Sequence, residues 1–159
     1  MKKYNFPETL ITDRFILEAV STFHAEEAYE AIDKDREYLS EFLPWCTDSY
    51  SLEDTISFYE IQQENFEEED AFHYKIIDKE TDSILGSIGI DIKADGYGEI
   101  GYWLSKDMQG NGVITECLND LVEYSFTHSS LIRLDIYTDL DNKKSKAVAE
   151  KAGFVFEGI

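Results

Sequence analysis

The sequence is poor in cysteine, in basic residues and in long apolar runs, and each shortage excludes something. Only Cys46 and Cys117 occur among 159 residues. Two such cysteines give neither a disulfide framework nor metal-ligand spacing, and Cys117, on an apolar helical face, is expected in the core. No apolar stretch reaches the length of a membrane span. The N-terminal Met1-Lys2-Lys3-Tyr4-Asn5 lacks the apolar centre of a signal peptide. The expectation is a cytoplasmic, reduced, soluble protein with no membrane partner. Lys and Arg total 14 against 34 Asp and Glu, a net charge of −20. That field disfavours nucleic acid and anionic membrane surfaces and attracts cations such as amines or basic peptides. It serves solubility equally well with no partner implied. His24, His73 and His128 have no partner at metal or triad spacing, so each is read as structural and no metal is expected. The acids Glu67–Asp70 are read as a solvated helix end, because no spaced loop of oxygen ligands accompanies them.

What remains is a globular composition, 43% hydrophobic with both Trp and ten Tyr, which argues against disorder. The length suits a single domain over residues 1–159. Glu8 to Val20 reads as a first strand. Phe23 to Asp35 reads as an amphipathic helix with Phe23, Ala28, Tyr29 and Ile32 on one side. The apolar piece Tyr38 to Trp45 reads as core, lid or acceptor-site lining. Ser51 and Asp54 form an N-cap signal for a helix running to about Glu68. Ala71 to Asp78 and Ser83 to Lys93 alternate as strands, and Asp95-Gly96 is a hairpin signal before a third.

The most informative stretch is Glu99 to Leu121. Glu99 to Leu104 is short, aromatic and apolar, so it reads as a strand. Gln109-Gly110-Asn111-Gly112 is a turn able to take positive φ. From Val113 the apolar residues Ile114, Cys117, Leu118, Leu121 and Val122 keep helical spacing. A glycine turn opening a helix points free N–H groups at an anion, where the helix dipole favours negative charge. The same turn also serves as plain structural punctuation. Leu131 to Thr138 reads as a strand, Asn142 to Ala152 as a helix and Gly153 to Gly158 as the start of a strand. The order is β-α-α-β-β-β-α-β-α-β, an α+β fold with a mixed, mostly antiparallel central sheet flanked by helices.

Three motifs in this order carry a resemblance. Gln109-Gly110-Asn111-Gly112-Val113-Ile114 is similar to the acyl-CoA loop of the GNAT N-acyltransferase superfamily. Asn142-Lys143-Lys144-Ser145 and Glu150-Lys151-Ala152-Gly153-Phe154 resemble its second signature. Glu99-Ile100-Gly101-Tyr102-Trp103-Leu104 resembles its fourth strand. The likeness covers nearly the whole chain and is nearest to the RimJ/RimL-type ribosomal-protein N-terminal acetyltransferases.

The resemblance implies acetyl-CoA as acyl donor, an amine acceptor and no metal. It places the pyrophosphate on Gln109, Gly110, Asn111, Gly112, Val113, Ile114 and Thr115. The pantetheine arm would lie along Tyr102, Trp103 and Leu104 in a V-shaped gap, with Asn142 and Ser145 nearby. Glu99 is the candidate base, or else an ordinary strand-end carboxylate. Ser145 is the candidate acid, or else a helix-start hydroxyl. Many members use a Tyr seven residues after the motif Asn, but here that place is Ala149. Lys143, Lys144 and Lys146 either contact CoA phosphates or form a solvated helix face.

The acceptor implied is the α-amine of a ribosomal or other protein. A small-molecule amine, such as a polyamine or an antibiotic, and a non-catalytic CoA-binding module are the alternatives. Family members continue past Gly158-Ile159 with a further strand or two. The expectation is missing C-terminal strands, leaving either an exposed sheet edge or a partner's strand and hence a homodimer.

Overall fold

The computed structural model describes residues 3–138 and 141–158. Met1, Lys2 and Ile159, on which the readings of the two ends partly rest, lie outside them. The expected first strand is two strands, β1 (Thr9–Ile11) and β2 (Phe15–Ala19), paired as an antiparallel hairpin. Thr12 makes the turn: its backbone N–H donates to the Phe15 carbonyl at 2.9 Å, and its hydroxyl accepts from the Phe15 N–H at 3.0 Å.

Helix α1 (Ala25–Lys34) buries Ala25, Ala28 and Ile32, the three- and four-residue spacing of one face. Phe23 stands outside it, 87% exposed, so the expected helix begins two residues late and without that aromatic. A short α2 (Arg36–Ser40) follows. The helix α3 (Leu52–Glu68) opens with the expected box, Ser51 and Asp54 each accepting from the other's backbone N–H. The acids at its end are not all solvated: the Glu69 carboxylate accepts the backbone N–H groups of Lys3, Tyr4 and Asn5 and ties the N-terminal segment down.

Strands β3 (Ala71–Asp78), β4 (Ile84–Ala94) and β5 (Tyr97–Leu104) form an antiparallel meander. The helix α4 (Val113–His128) then crosses over to β6 (Arg133–Ile136), which lies parallel to β5, and α5 (Lys143–Lys151) follows. The sheet order is β1-β2-β3-β4-β5-β6. No strand forms over Gly153–Gly158 among the described residues; Val155 and Phe156 are exposed there, and a strand without a paired neighbour has nothing to satisfy its backbone.

Alternation sends β-strand residues to two layers. Tyr74, Ile88, Ile90, Ile100 and Leu104 pack with Cys117, Leu118 and Leu121 of α4. Each fully buried aliphatic there contributes about 1.5–3 kcal/mol. On the opposite face Trp103 packs with Ile32, Leu39 and Cys46 from the α1–α2 region.

Candidate active site

The central feature is a parting of strands. On one side β5 pairs with β4 along its whole length, out to Leu104 opposite Gly86. On the other it pairs with β6 only from Tyr97–Arg133 to Ile100–Ile136. Beyond Ile100 the two parallel strands separate, and the backbone of Gly101 to Leu104 has no ladder partner on that side. A cavity of about 80 Å³ lies at this gap. Tyr102, Leu104, Gln109, Ile114, Asn142 and Ser145 line it on the α4–α5 side, and Trp103, Tyr38 and Leu39 on the other. Stretches that the sequence separates by some 40 residues meet here.

The glycine turn sits where the β5 chain enters α4. Gly110 and Gly112 take φ of 81° and 71°, values that a Cβ would strain. Gly112 is the N-cap of α4. Gln109 donates through Nε2 to the Leu104 carbonyl at 3.2 Å, and Asn111 through Nδ2 to the Met108 carbonyl at 3.2 Å, which fixes the loop. Val113 and Ile114 turn their side chains into the core. Their N–H groups, with that of Thr115, belong to the first helical turn and have no intrahelical acceptor. That arrangement suits a phosphate.

The groups able to move protons divide between the faces. The Ser145 Oγ lies 2.7 Å from the Tyr102 phenolic oxygen, with the Ser145 carbonyl 3.0 Å from the same oxygen. The Asn142 side chain caps α5 by accepting from the Ser145 N–H at 3.1 Å. Burial pushes the Tyr102 phenol above its ordinary pKa, and the Ser145 contact partly offsets this. The residues Asp91, Glu99 and Asp135 lie side by side on the opposite face, so Glu99 does not reach Ser145. Its carboxylate is 3.8 Å from the Lys93 ammonium.

His73 is paired: its Nε2 is 2.7 Å from Asp91 Oδ1. Burial works against the Asp91 charge, but this bond and the imidazole's field win and hold its carboxyl below the usual range. Of the lysine cluster, Lys144 lies over the Tyr38 ring and Lys146 over the Phe156 ring, while Lys143 is exposed at the helix start. The partnership of Tyr102 with Ser145 was beyond sequence reasoning, because the two are 43 residues apart.

A sheet splayed between two parallel strands, an anion-ready glycine turn at its mouth and a hydroxyl pair in the gap are the arrangement that the resemblance to acyl-transfer enzymes implies. The chain belongs to the acetyltransferase (GNAT) domain family, which it matches over residues 14–155; it is an acetyl-CoA-dependent N-acetyltransferase. It is 28% identical over 150 residues to the ribosomal-protein-serine acetyltransferase of Escherichia coli (strain K12), covering 93% of this chain and 83% of that one. That name supports the RimJ/RimL-type branch which the motifs resemble. YdaF of Bacillus subtilis (strain 168) is 43% identical over 60 residues, 38% of this chain and a third (33%) of that protein. Among solved structures, the microcin C7 self-immunity acetyltransferase MccE in complex with acetyl-CoA and AMP is 29% identical with a TM-score of 0.86. The match covers 96% of this chain and 86% of that one.

Proposed function

We propose that the protein, as one GNAT-type domain over residues 1–159, transfers acetyl from acetyl-CoA to the N-terminal α-amine of a ribosomal or other protein. The observation that carries this is the meeting of both motif stretches at the β5–β6 gap, with Tyr102 and Ser145 in contact inside it. Gln109 to Thr115 holds the pyrophosphate. Tyr102, Trp103 and Leu104 flank the pantetheine arm, and Asn142 and Ser145 close the site.

The two faces then divide the labour. Donor comes in from the α4–α5 side, and the amine from the side of Glu99 and Trp103. The neutral amine attacks the thioester carbonyl, forming a C–N bond and an oxyanion. An unpaired N–H of the Gly101–Leu104 backbone receives that oxyanion. Collapse breaks the C–S bond, the thiolate takes a proton from Ser145, whose hydroxyl Tyr102 positions, and the acylated nitrogen sheds its extra proton to restore that hydroxyl. Glu99 takes the ammonium proton through water. Holding the reactants in line supplies much of the acceleration.

Calorimetric titration with acetyl-CoA, with NAD as control, tests the donor site; micromolar saturable binding to acetyl-CoA alone is expected. Thiol release across a panel of peptide N-termini, polyamines and aminoglycosides then tests the acceptor. MccE, named for self-immunity, favours the small-molecule amine as the second reading. Acetylation of none of them despite tight donor binding would put the acceptor outside these amine classes. The Ser145→Ala and Glu99→Gln variants are expected to lower kcat by about 10²-fold or more with donor affinity unchanged.

The reading extends to location and assembly. Cys46 and Cys117 are free and buried, as suits a reducing cytoplasm, and among the described residues no helix is long and apolar enough to cross a membrane. Among the described residues β6 is the last strand of the sheet, beside a groove lined by Val122, Phe126, Ile132 and Leu134; this supports a homodimer, which sedimentation velocity tests.

A further inference from the structure

We propose that Arg14, in the turn between β1 and β2, is a donor-binding residue whose guanidinium takes a phosphate of CoA at the glycine turn. The inference rests on the placement of the pyrophosphate at Gln109 to Thr115.

The structure brings Arg14 to that turn from 98 residues away. Its Nη2 lies 3.5 Å from where a Cβ on Gly112 would be. That is ordinary contact distance, so the guanidinium stands directly against the turn. What holds Arg14 there is Glu116, in the first turn of α4. One Glu116 oxygen accepts the Thr12 hydroxyl at 2.6 Å and the Arg14 backbone N–H at 2.8 Å. The other accepts Arg14 Nε at 2.7 Å. The guanidinium also lies over the Phe15 ring, 4.8 Å from its centroid.

Only the Nε hydrogen of the fork is used. The four Nη hydrogens have no hydrogen-bond partner among the described residues, and they stand beside helix N–H groups that also lack one. This is an incomplete donor set, with one edge fixed and the other presented to the turn. A planar fork held in this way binds a phosphate oxygen pair at little further cost in side-chain order. The nearby Lys79 cannot serve as well, because its ammonium is tied to the Thr12 and Asp13 carbonyls at 2.5 and 3.0 Å. The Glu116 carboxylate keeps its charge and pairs that of Arg14, so what the pair offers a phosphate is the unused Nη donors rather than a net positive charge. In a chain of net charge −20, fixed hydrogen-bond donors at the turn matter for a polyanionic donor.

The test is calorimetric titration of wild type, Arg14→Gln and Arg14→Lys with CoA, dephospho-CoA and pantetheine. For CoA, Arg14→Gln is expected to weaken binding by about 10- to 100-fold, the range of a lost charge-assisted contact. Arg14→Lys, which keeps the charge and loses the fork, is expected to fall between. Pantetheine, without phosphates, is expected to bind all three alike, which also shows that the variants are folded. A loss that persists with dephospho-CoA assigns the pyrophosphate, and a loss that disappears assigns the 3′-phosphate. If wild type binds CoA and Arg14→Gln binds it equally well, or if pantetheine is lost in parallel, Arg14 is structural and the proposal falls. If wild type does not bind CoA at all, the placement of the donor fails and takes this proposal with it.

Discussion

At the residue scale, Glu116 is the position with the most to lose. Burial raises its pKa, yet the bonds from Thr12 and Arg14 outweigh this and hold its carboxyl below the ordinary carboxylate value. A depressed folded pKa contributes stability that is complete above the ordinary value, near about 4.3, and is lost as pH falls through the folded pKa. Glu116→Gln keeps the shape and removes the charge. Its expected cost at neutral pH is about 1–3 kcal/mol, read as a lower Tm. The gap between variant and wild type is expected to close as the pH is taken from about 5 to about 3. A gap that stays constant over that range would mean the charge contributes nothing. Glu116 and Arg14 were not legible in the sequence, because no local pattern links a turn residue to a helix 102 positions later. The one available hint was an arginine at an unmarked break in an apolar run of an acidic chain. Asn142 and Ser145 were legible, because a cap and the residue it caps are neighbours in sequence as well as in space.

At the element scale, two glycines of the central strands make opposite predictions. A Cβ on Gly86 would lie 2.2 Å from the Trp103 carbonyl oxygen and 3.0 Å from the Leu104 Cα. Backbone cannot give way there without opening the β4–β5 ladder. Gly86→Ala is therefore expected to cost about 1–3 kcal/mol or more, a Tm fall of several degrees for a domain of this size. A Cβ on Gly101 would meet nothing within 4 Å. Gly101→Ala is expected to leave Tm unchanged and to lower turnover, because the methyl enters the face of the gap proposed for the amine. Thermal denaturation beside a steady-state assay separates the two. Elements whose reason is local were readable: the Ser51 box starts α3, and alternation marks β3 and β4. The β1–β2 break was not, because Thr12 makes the turn with its hydroxyl where a glycine or proline would have announced it. Gly153 to Gly158 failed in the other direction. Its aromatic and β-branched run Phe154-Val155-Phe156 suits a strand, but a strand exists only against a neighbour, and pairing is not written in one segment.

At the scale of the whole molecule, the charge acts on both substrates with opposite sign. Thirty-four acids against 14 bases set up a field that pulls a cationic acceptor in and pushes an anionic donor away. The local devices proposed for the donor turn, helix N–H groups and the Arg14 fork, act at contact distance, whereas the field acts over many ångströms. Salt separates them, since the screening length falls from about 10 Å at 0.1 M to about 3 Å at 1 M. The association rate of acetyl-CoA is accordingly expected to rise with salt, because its repulsion is removed before it reaches the turn. The kcat/KM for a polycationic acceptor is expected to fall, by about tenfold between roughly 0.05 and 0.5 M salt, and that for a singly charged amine to fall less. Stopped-flow binding of donor and steady-state assays with two acceptors of different charge measure the three trends. If all three move together, salt is acting on the fold or on the chemical step, and the acidic surface serves solubility alone. If they diverge as stated, the surface selects its acceptor by charge before any pocket contact is made, and the Glu99 face is where that selection ends.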